Sequence, residues 1–154
     1  MPDLVKVDPV ALLPTQAGCA VFLGDGKKSI VFYIEPAIGA SINDALSDRK
    51  PPRPLTHDLF NDALRAFGAV VQRVVIVRVE NDVFFARLFI EAENEISERL
   101  IVELDARPSD SIALAVRQQA PLYVLREVWE GLKDMTSVLE ELRDKGMDME
   151  GGDS

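Results

Sequence analysis

The chain is poor in the residues that most often carry chemistry. It has one cysteine, one histidine, one tryptophan and two tyrosines in 154 residues. A lone Cys19 cannot close an internal disulfide, and a single His with a single Cys excludes the usual zinc clusters. Cys19, set in an apolar run, reads as a small buried strand residue. No apolar run approaches the roughly 20 residues of a membrane span. The first ten residues, MPDLVKVDPV, lack the charged and then apolar pattern of a secretory signal. The expectation is a cytoplasmic protein without membrane contact. Cations are also in deficit. There are 17 Lys and Arg against 26 Asp and Glu, a net charge of −9, which makes a poor general trap for nucleic acid.

That charge is unevenly spread. Residues 1–48 carry −3 and residues 127–154 carry −6, whereas residues 49–126 hold 11 cations and 11 anions. Ten of those eleven cations are Arg, the side chain suited to bidentate contact with phosphate or carboxylate. A local anion site is therefore compatible with an acidic chain.

Strand and helix signals alternate along one domain-sized chain. Residues 5–14, 18–25 and 29–35 read as strands, with GDGKK as the turn between the second and third. Residues 35–46 read as a helix with Pro36 in its first turn. A stiff proline-rich linker, SDRKPPRPL, follows at 47–55. Thr56 is the expected N-cap of the next helix, whose apolar face is Leu59, Phe60, Ala63, Leu64 and Phe67, with Gly68 as its stop. Residues 69–80 and 83–93 form a hairpin of β-branched and aromatic residues, and 99–106 a neighbouring strand. Residues 108–119 are apolar nearly all round and predict a buried helix. A short strand at 120–125 and helices at 126–132 and 136–146 complete the pattern, and Trp129 is expected to dock the first of these two helices. The predicted fold is α+β: a largely antiparallel sheet built from hairpins, with helices packed against it. The domain is read as residues 1–132, with a C-terminal helix and a loose acidic tail in 133–154.

Several features have plain structural readings. GDGKK lacks the strand–loop–helix setting of a phosphate loop. Phe84, Phe85 and Phe89 could stack bases, but a core or a subunit interface accounts for them. Arg73, Arg78 and Arg87 are scattered among Glu80 and Glu91 and read as a solvated face. Long strands that are apolar on two faces predict a homo-oligomer, a dimer in the simplest case.

Two segments share one grammar. KPPRPLTHDLF (50–60) and LDARPSDSIALAVR (104–117) each place Arg-Pro, then a hydroxyl residue, then Asp, at a helix start. A helix N-terminus carries about half a positive charge, so an extra cation there costs roughly 0.3–1 kcal/mol unless it is offset. Asp58 and Asp110 supply the offset. In one reading Arg53 and Arg107 pair with those aspartates, crosswise or not, and tie the helix starts together. In the other, the same groups form a site. Arg53, Arg107, Thr56 and Ser109 would then hold a phosphate. His57 and the carboxylates Asp58 and Asp110 would move protons. Asp58, Asp105 and Asp110 would ligate Mg²⁺ or Mn²⁺ beside a phosphodiester. Neither reading calls for an organic cofactor.

These stretches, with FFARLFI between them and APLYV after them, resemble the bifunctional nuclease domain family over most of residues 5–132. The resemblance implies an α+β domain and, for some members, nuclease activity on both RNA and DNA. It carries over Arg53, Pro54, Thr56, His57, Asp58, Asp105, Arg107, Pro108, Ser109 and Asp110. The family usually has a glutamate near the start of the helix after the third strand, where this chain has Ile38; Glu35, one turn earlier, is the available substitute. A regulatory or binding domain without catalysis is the alternative to a metal-assisted nuclease.

Overall fold

The computed structural model describes residues 3–152, and their side chains as far as residue 145. A single seven-stranded sheet has the order β3-β2-β1-β7-β4-β5-β6. Its strands are β1 (Leu4–Thr15), β2 (Gly18–Gly24), β3 (Ser29–Ile34), β4 (Ala69–Glu80), β5 (Val83–Glu93), β6 (Arg99–Ala106) and β7 (Leu122–Leu125). Only the β4–β7 pair is parallel. The helices are α1 (Pro36–Leu46), α2 (Thr56–Ala66), α3 (Pro108–Gln118), α4 (Arg126–Gly131) and α5 (Thr136–Gly152). The α+β, largely antiparallel expectation holds.

Local chemistry explains the connections. Asn81 and Asp82, both left-handed at φ 50° and 63°, make the two-residue β4–β5 turn. Asp25 Oδ1 accepts the backbone N–H groups of Lys27 and Lys28 and closes the β2–β3 turn. Gly68, at φ 71°, ends α2 and turns the chain into β4. β1 pairs with β7 through Leu4–Val7 and with β2 from Asp8 onward, and an irregularity between Pro9 and Ala11 marks the switch.

One face of the sheet carries α1, α3 and α2. Val21, Leu23, Val74, Ile76, Leu88 and Val124 meet Ile42, Ile112 and Leu114 there. α3 buries Ser111, Ile112, Ala113, Leu114 and Ala115 in succession, as its composition predicts. At Gly39 a Cβ would lie 2.6 Å from the Cys19 sulfur, so glycine lets α1 approach β2. Cys19 is buried. On the opposite face α5 buries Leu139 against Ala20 and Phe22, so the C-terminal helix belongs to the same packed unit. It runs on to Gly152, through most of the stretch read as a loose tail. Gly146 lies within this helix without ending it; Asp153 and Ser154 lie outside the described residues. Trp129 is buried, as expected for the anchor of α4.

α2 departs from expectation in two ways. Its N-cap is Leu55, not Thr56, because Asp58 reaches back and accepts the Leu55 N–H at 3.0 Å. Of its predicted apolar face only Leu64 packs against the core, and the rest faces outward. Leu59 is 63 % exposed and Phe67 85 %, whereas Asn61 is buried. The helix docks through a polar stripe, and hydrophobic periodicity alone could not show that.

Candidate active site at the α1, α2 and α3 seam

The polar stripe of α2 meets α3 through three side-chain pairs. His57 Nε2 lies 3.0 Å from Asp110 Oδ1. Asp58 Oδ1 accepts from Arg117 Nε at 2.8 Å. Asn61 Oδ1 accepts from Gln118 Nε2, whose Oε1 in turn accepts the Val71 N–H at 2.7 Å. Positions 57, 58 and 61 share one helical face, as do 110, 117 and 118 within reach of it.

Arg117 is the hub on the closed side. Its side chain is 9 % exposed, and it donates to Asp58, to the Ala113 carbonyl and to Ser41 Oγ at 2.8 Å. Ser41, on α1, is buried, and its Oγ lies 3.5 Å from His57 Nδ1. Arginine can only donate, so Ser41 accepts and turns its own hydrogen toward Nδ1. A neutral His57 ring then carries its proton on Nε2, facing Asp110. A chain of hydrogen bonds thus runs from the buried guanidinium through Ser41 and His57 to Asp110.

The other end is open. Arg107 donates from Nε to Asp110 Oδ2 at 2.8 Å and from Nη1 to Glu35 Oε1 at 3.0 Å. Arg107 and Glu35 are mostly exposed, and the Asp110 side chain is 36 % exposed. Together with Ser109, Glu35 and Arg107 border an open cleft of about 980 Å³ that extends to Tyr33 on β3 and Phe84 on β5. Burial alone would raise the Asp110 pKa; the bonds from Arg107 and His57 outweigh it and hold the carboxyl below its usual range. Asp58 follows the same balance, with burial opposed by Arg117 and the Leu55 N–H. Bonds to Asp110 and Glu35 raise Arg107.

The predicted site residues therefore divide. His57, Asp58, Asp110 and Arg107 come together. Arg53 is exposed and makes no ion pair among the described residues, so the proposed symmetry of two Arg-Pro clamps is not built; Arg117, from within α3, takes its place beside Asp58. Thr56 is exposed, and Ser109 is buried at the cleft. Asp105 points along the sheet to Arg87 at 3.8 Å. Among the described residues no three His, Cys, Asp or Glu side chains are grouped to share a metal ion. Both oxygens of Asp58 and both of Asp110 already accept hydrogen bonds. The donor set thus does not fit an ion shared by Asp58, Asp105 and Asp110, and no step is derived through one. Sequence reasoning missed Ser41, Asn61, Arg117 and Gln118. For Arg117 a signal existed, since an Arg seven residues after Asp110 falls on the same helical face.

The sequence has counterparts among known proteins. A family model described as the bifunctional nuclease domain matches residues 21–135, and the chain belongs to that family. It is 35 % identical over 100 residues to the uncharacterized protein Rv1829 of Mycobacterium tuberculosis, covering 65 % of this chain and 56 % of that protein. It is 29 % identical over 84 residues to bifunctional nuclease 1 of Oryza sativa subsp. indica, covering 54 % of this chain and 25 % of the plant protein. The chain thus spans about half the length of the mycobacterial relative and a quarter of the plant one. Among the described residues no helix is long and apolar enough to cross a membrane.

Proposed function

We propose that the domain is a nuclease-like phosphodiesterase acting on RNA or DNA, with its working end at Asp110 and Arg107. The observation that carries this reading is the His57–Asp110–Arg107 chain, whose Arg107 end borders the cleft, within a domain of the bifunctional nuclease family. Arg107 has donors to spare for a phosphate, and Asp110 is the partly exposed carboxylate beside it. In this reading Asp110 takes a proton from the attacking hydroxyl or water, His57 orients that carboxylate through its Nε2–H, and Arg107 stabilises charge on the phosphorus oxygens. Substrate phosphate would draw Arg107 off Glu35. Strands apolar on both faces keep a homodimer within the proposal.

A second reading has its own support. Every oxygen of Asp58 and Asp110 is engaged, which suits a structural or ligand-holding cluster in a non-catalytic regulatory domain. The deciding experiment is cleavage of labelled single-stranded RNA and DNA by highly purified protein in Mg²⁺, Mn²⁺ or EDTA, beside folded Asp110→Asn and His57→Ala variants. Cleavage lost in the variants supports the nuclease reading, and the metal arms establish whether a divalent ion takes part. No cleavage by the parent protein in any arm overturns it in favour of the second reading.

A further inference from the structure

The edge strand β6 is built to pair with itself. It ends the sheet beside β5, and no other strand among the described residues covers its outer side. Its even-numbered residues continue the core face. Leu100 stands opposite Ala92, Val102 opposite Ile90, Leu104 opposite Leu88 and Ala106 opposite Ala86. Yet Leu100 is 62 % exposed, and Leu104 is exposed as well. The core face therefore runs on to an edge that nothing among the described residues fully covers. Its odd-numbered residues carry charge except at Ile101, which is half exposed: Arg99 lies beside Glu91, and Glu103 and Asp105 beside Arg87.

We propose that β6 of one copy pairs antiparallel with β6 of a second copy, centred on Val102, to give a continuous fourteen-stranded sheet with a two-fold axis through the seam. Directly opposite residues of an antiparallel pair share a face. Only registers that set even positions against even ones keep the apolar face continuous across the seam. Centring on Val102 puts Leu100 against the partner's Leu104, and Val102 against its own copy. It also puts Arg99 against the partner's Asp105 twice. The row Glu93, Arg99, Asp105, Arg87 then alternates in sign across the two copies, using the pairings β6 already has with β5. Centring on Glu103 would oppose like charges, and centring on Ile101 would shorten the overlap. α2 lies on the same side of the sheet and leaves Leu59, Phe60 and Phe67 outward. Gly68 and Ala69 lead from α2 into the row Ala69, Ala92, Leu100, which sets the Phe67 end of α2 two strands in from the seam. An exposed apolar edge strand is an association hazard unless it is used or blocked; here its charges complement a second copy.

The test needs no substrate, so it is independent of catalysis. Analytical ultracentrifugation of the full chain should show a dimer at micromolar concentration. Arg99→Asp and Asp105→Arg, each alone, oppose like charges twice and should weaken association by about tenfold or more. Mixing the two variants sets opposite charges against each other again at both crossings of the seam, so the mixture should dimerise. Val102→Cys should cross-link across the axis on mild oxidation, whereas Lys27→Cys, in the β2–β3 turn, should not. Circular dichroism establishes that each variant is folded. A folded parent protein that stays monomeric at about 100 µM, well above the micromolar range at which a specific pair associates, overturns the proposal. So does a dimer that neither cross-links through Val102→Cys nor returns on mixing.

Discussion

Two Arg–Asp pairs lie at opposite ends of one seam, and they differ in exposure rather than in chemistry. Arg117 is enclosed, with its side chain 9 % exposed, while Asp58 beside it is 27 % exposed on the wall of an open pocket of about 480 Å³; Arg107 and Asp110 are more open, at 59 % and 36 %. The enclosed guanidinium spends its donors on Asp58, Ser41 and the Ala113 carbonyl. The open one holds two carboxylates that solvent already reaches, Asp110 and Glu35. An enclosed pair resists loss of either partner because the survivor is left charged and dry. An exposed pair contributes little to stability and is free to exchange partners with a ligand. The same residue types therefore fasten the fold at one end and are available for chemistry at the other, and His57 with Ser41 connects the two.

The largest expected effect falls at the open end. Asp110→Asn should lower cleavage by about 10²–10⁴-fold, the usual scale for a positioned proton acceptor, while the melting temperature changes little. A steady-state assay beside a thermal melt checks both halves of that statement. If Asp110→Asn melts far earlier instead, the open end is a fastening too and the contrast fails. At the closed end the effects should be reversed. Asp58→Asn leaves Arg117 without its carboxylate and should cost about 3 kcal/mol, lowered slightly by the partial exposure of Asp58. Urea unfolding measures it. Smaller again is Asn61→Ala, which strips Gln118 Nε2 of its acceptor and should cost about 1–2 kcal/mol in the same experiment.

Acid sharpens the comparison further. Asp58 and Asp110 both titrate below the ordinary carboxylate range. A carboxyl lowered in the native state adds stability that is fully present above its unfolded value, about 3.9, and is lost as pH falls through the native value. The parent protein should therefore lose more stability on acidification below about pH 4 than Asp58→Asn does. Equal acid sensitivity of the two proteins would remove Asp58 from the account.

Much of the fold was legible because its signals are local. Alternation in Val83–Glu93, the Asn81-Asp82 turn, Gly68 after α2 and the all-round apolar α3 each report short-range chemistry, and the structure has all four. The site was half legible. His57, Asp58, Arg107 and Asp110 announce themselves by motif. Ser41 and Gln118 carry no motif, since their roles arise only when α1 and α3 pack. The orientation of α2 was misread for the same reason. Leu59, Phe60 and Phe67 have the spacing of a core face, but the bond between His57 and Asp110 and the bonds that Asp58 and Asn61 accept from Arg117 and Gln118 win the inward position. Periodicity identifies the two faces of a helix, and tertiary partners decide which one turns in.

Arg53 gives the smallest expected effect and a sharp test of the asymmetry. The sequence treats Arg53 and Arg107 alike, each followed by Pro and each preceding an Asp. In the structure Arg107 holds Asp110 and Glu35, whereas Arg53 sits exposed in the linker with no ion pair among the described residues. Arg53→Ala should then change stability by no more than about 0.5 kcal/mol, as surface substitutions do, and should leave cleavage within about twofold, whereas Arg107→Ala should reduce it by about 10²-fold through loss of the charge that faces the phosphate. Equal losses from both substitutions would mean that substrate spans both helix starts and that Arg53 acts only when substrate is bound. The two-ended seam would then be one continuous anion track, with its closed end opened by the ligand.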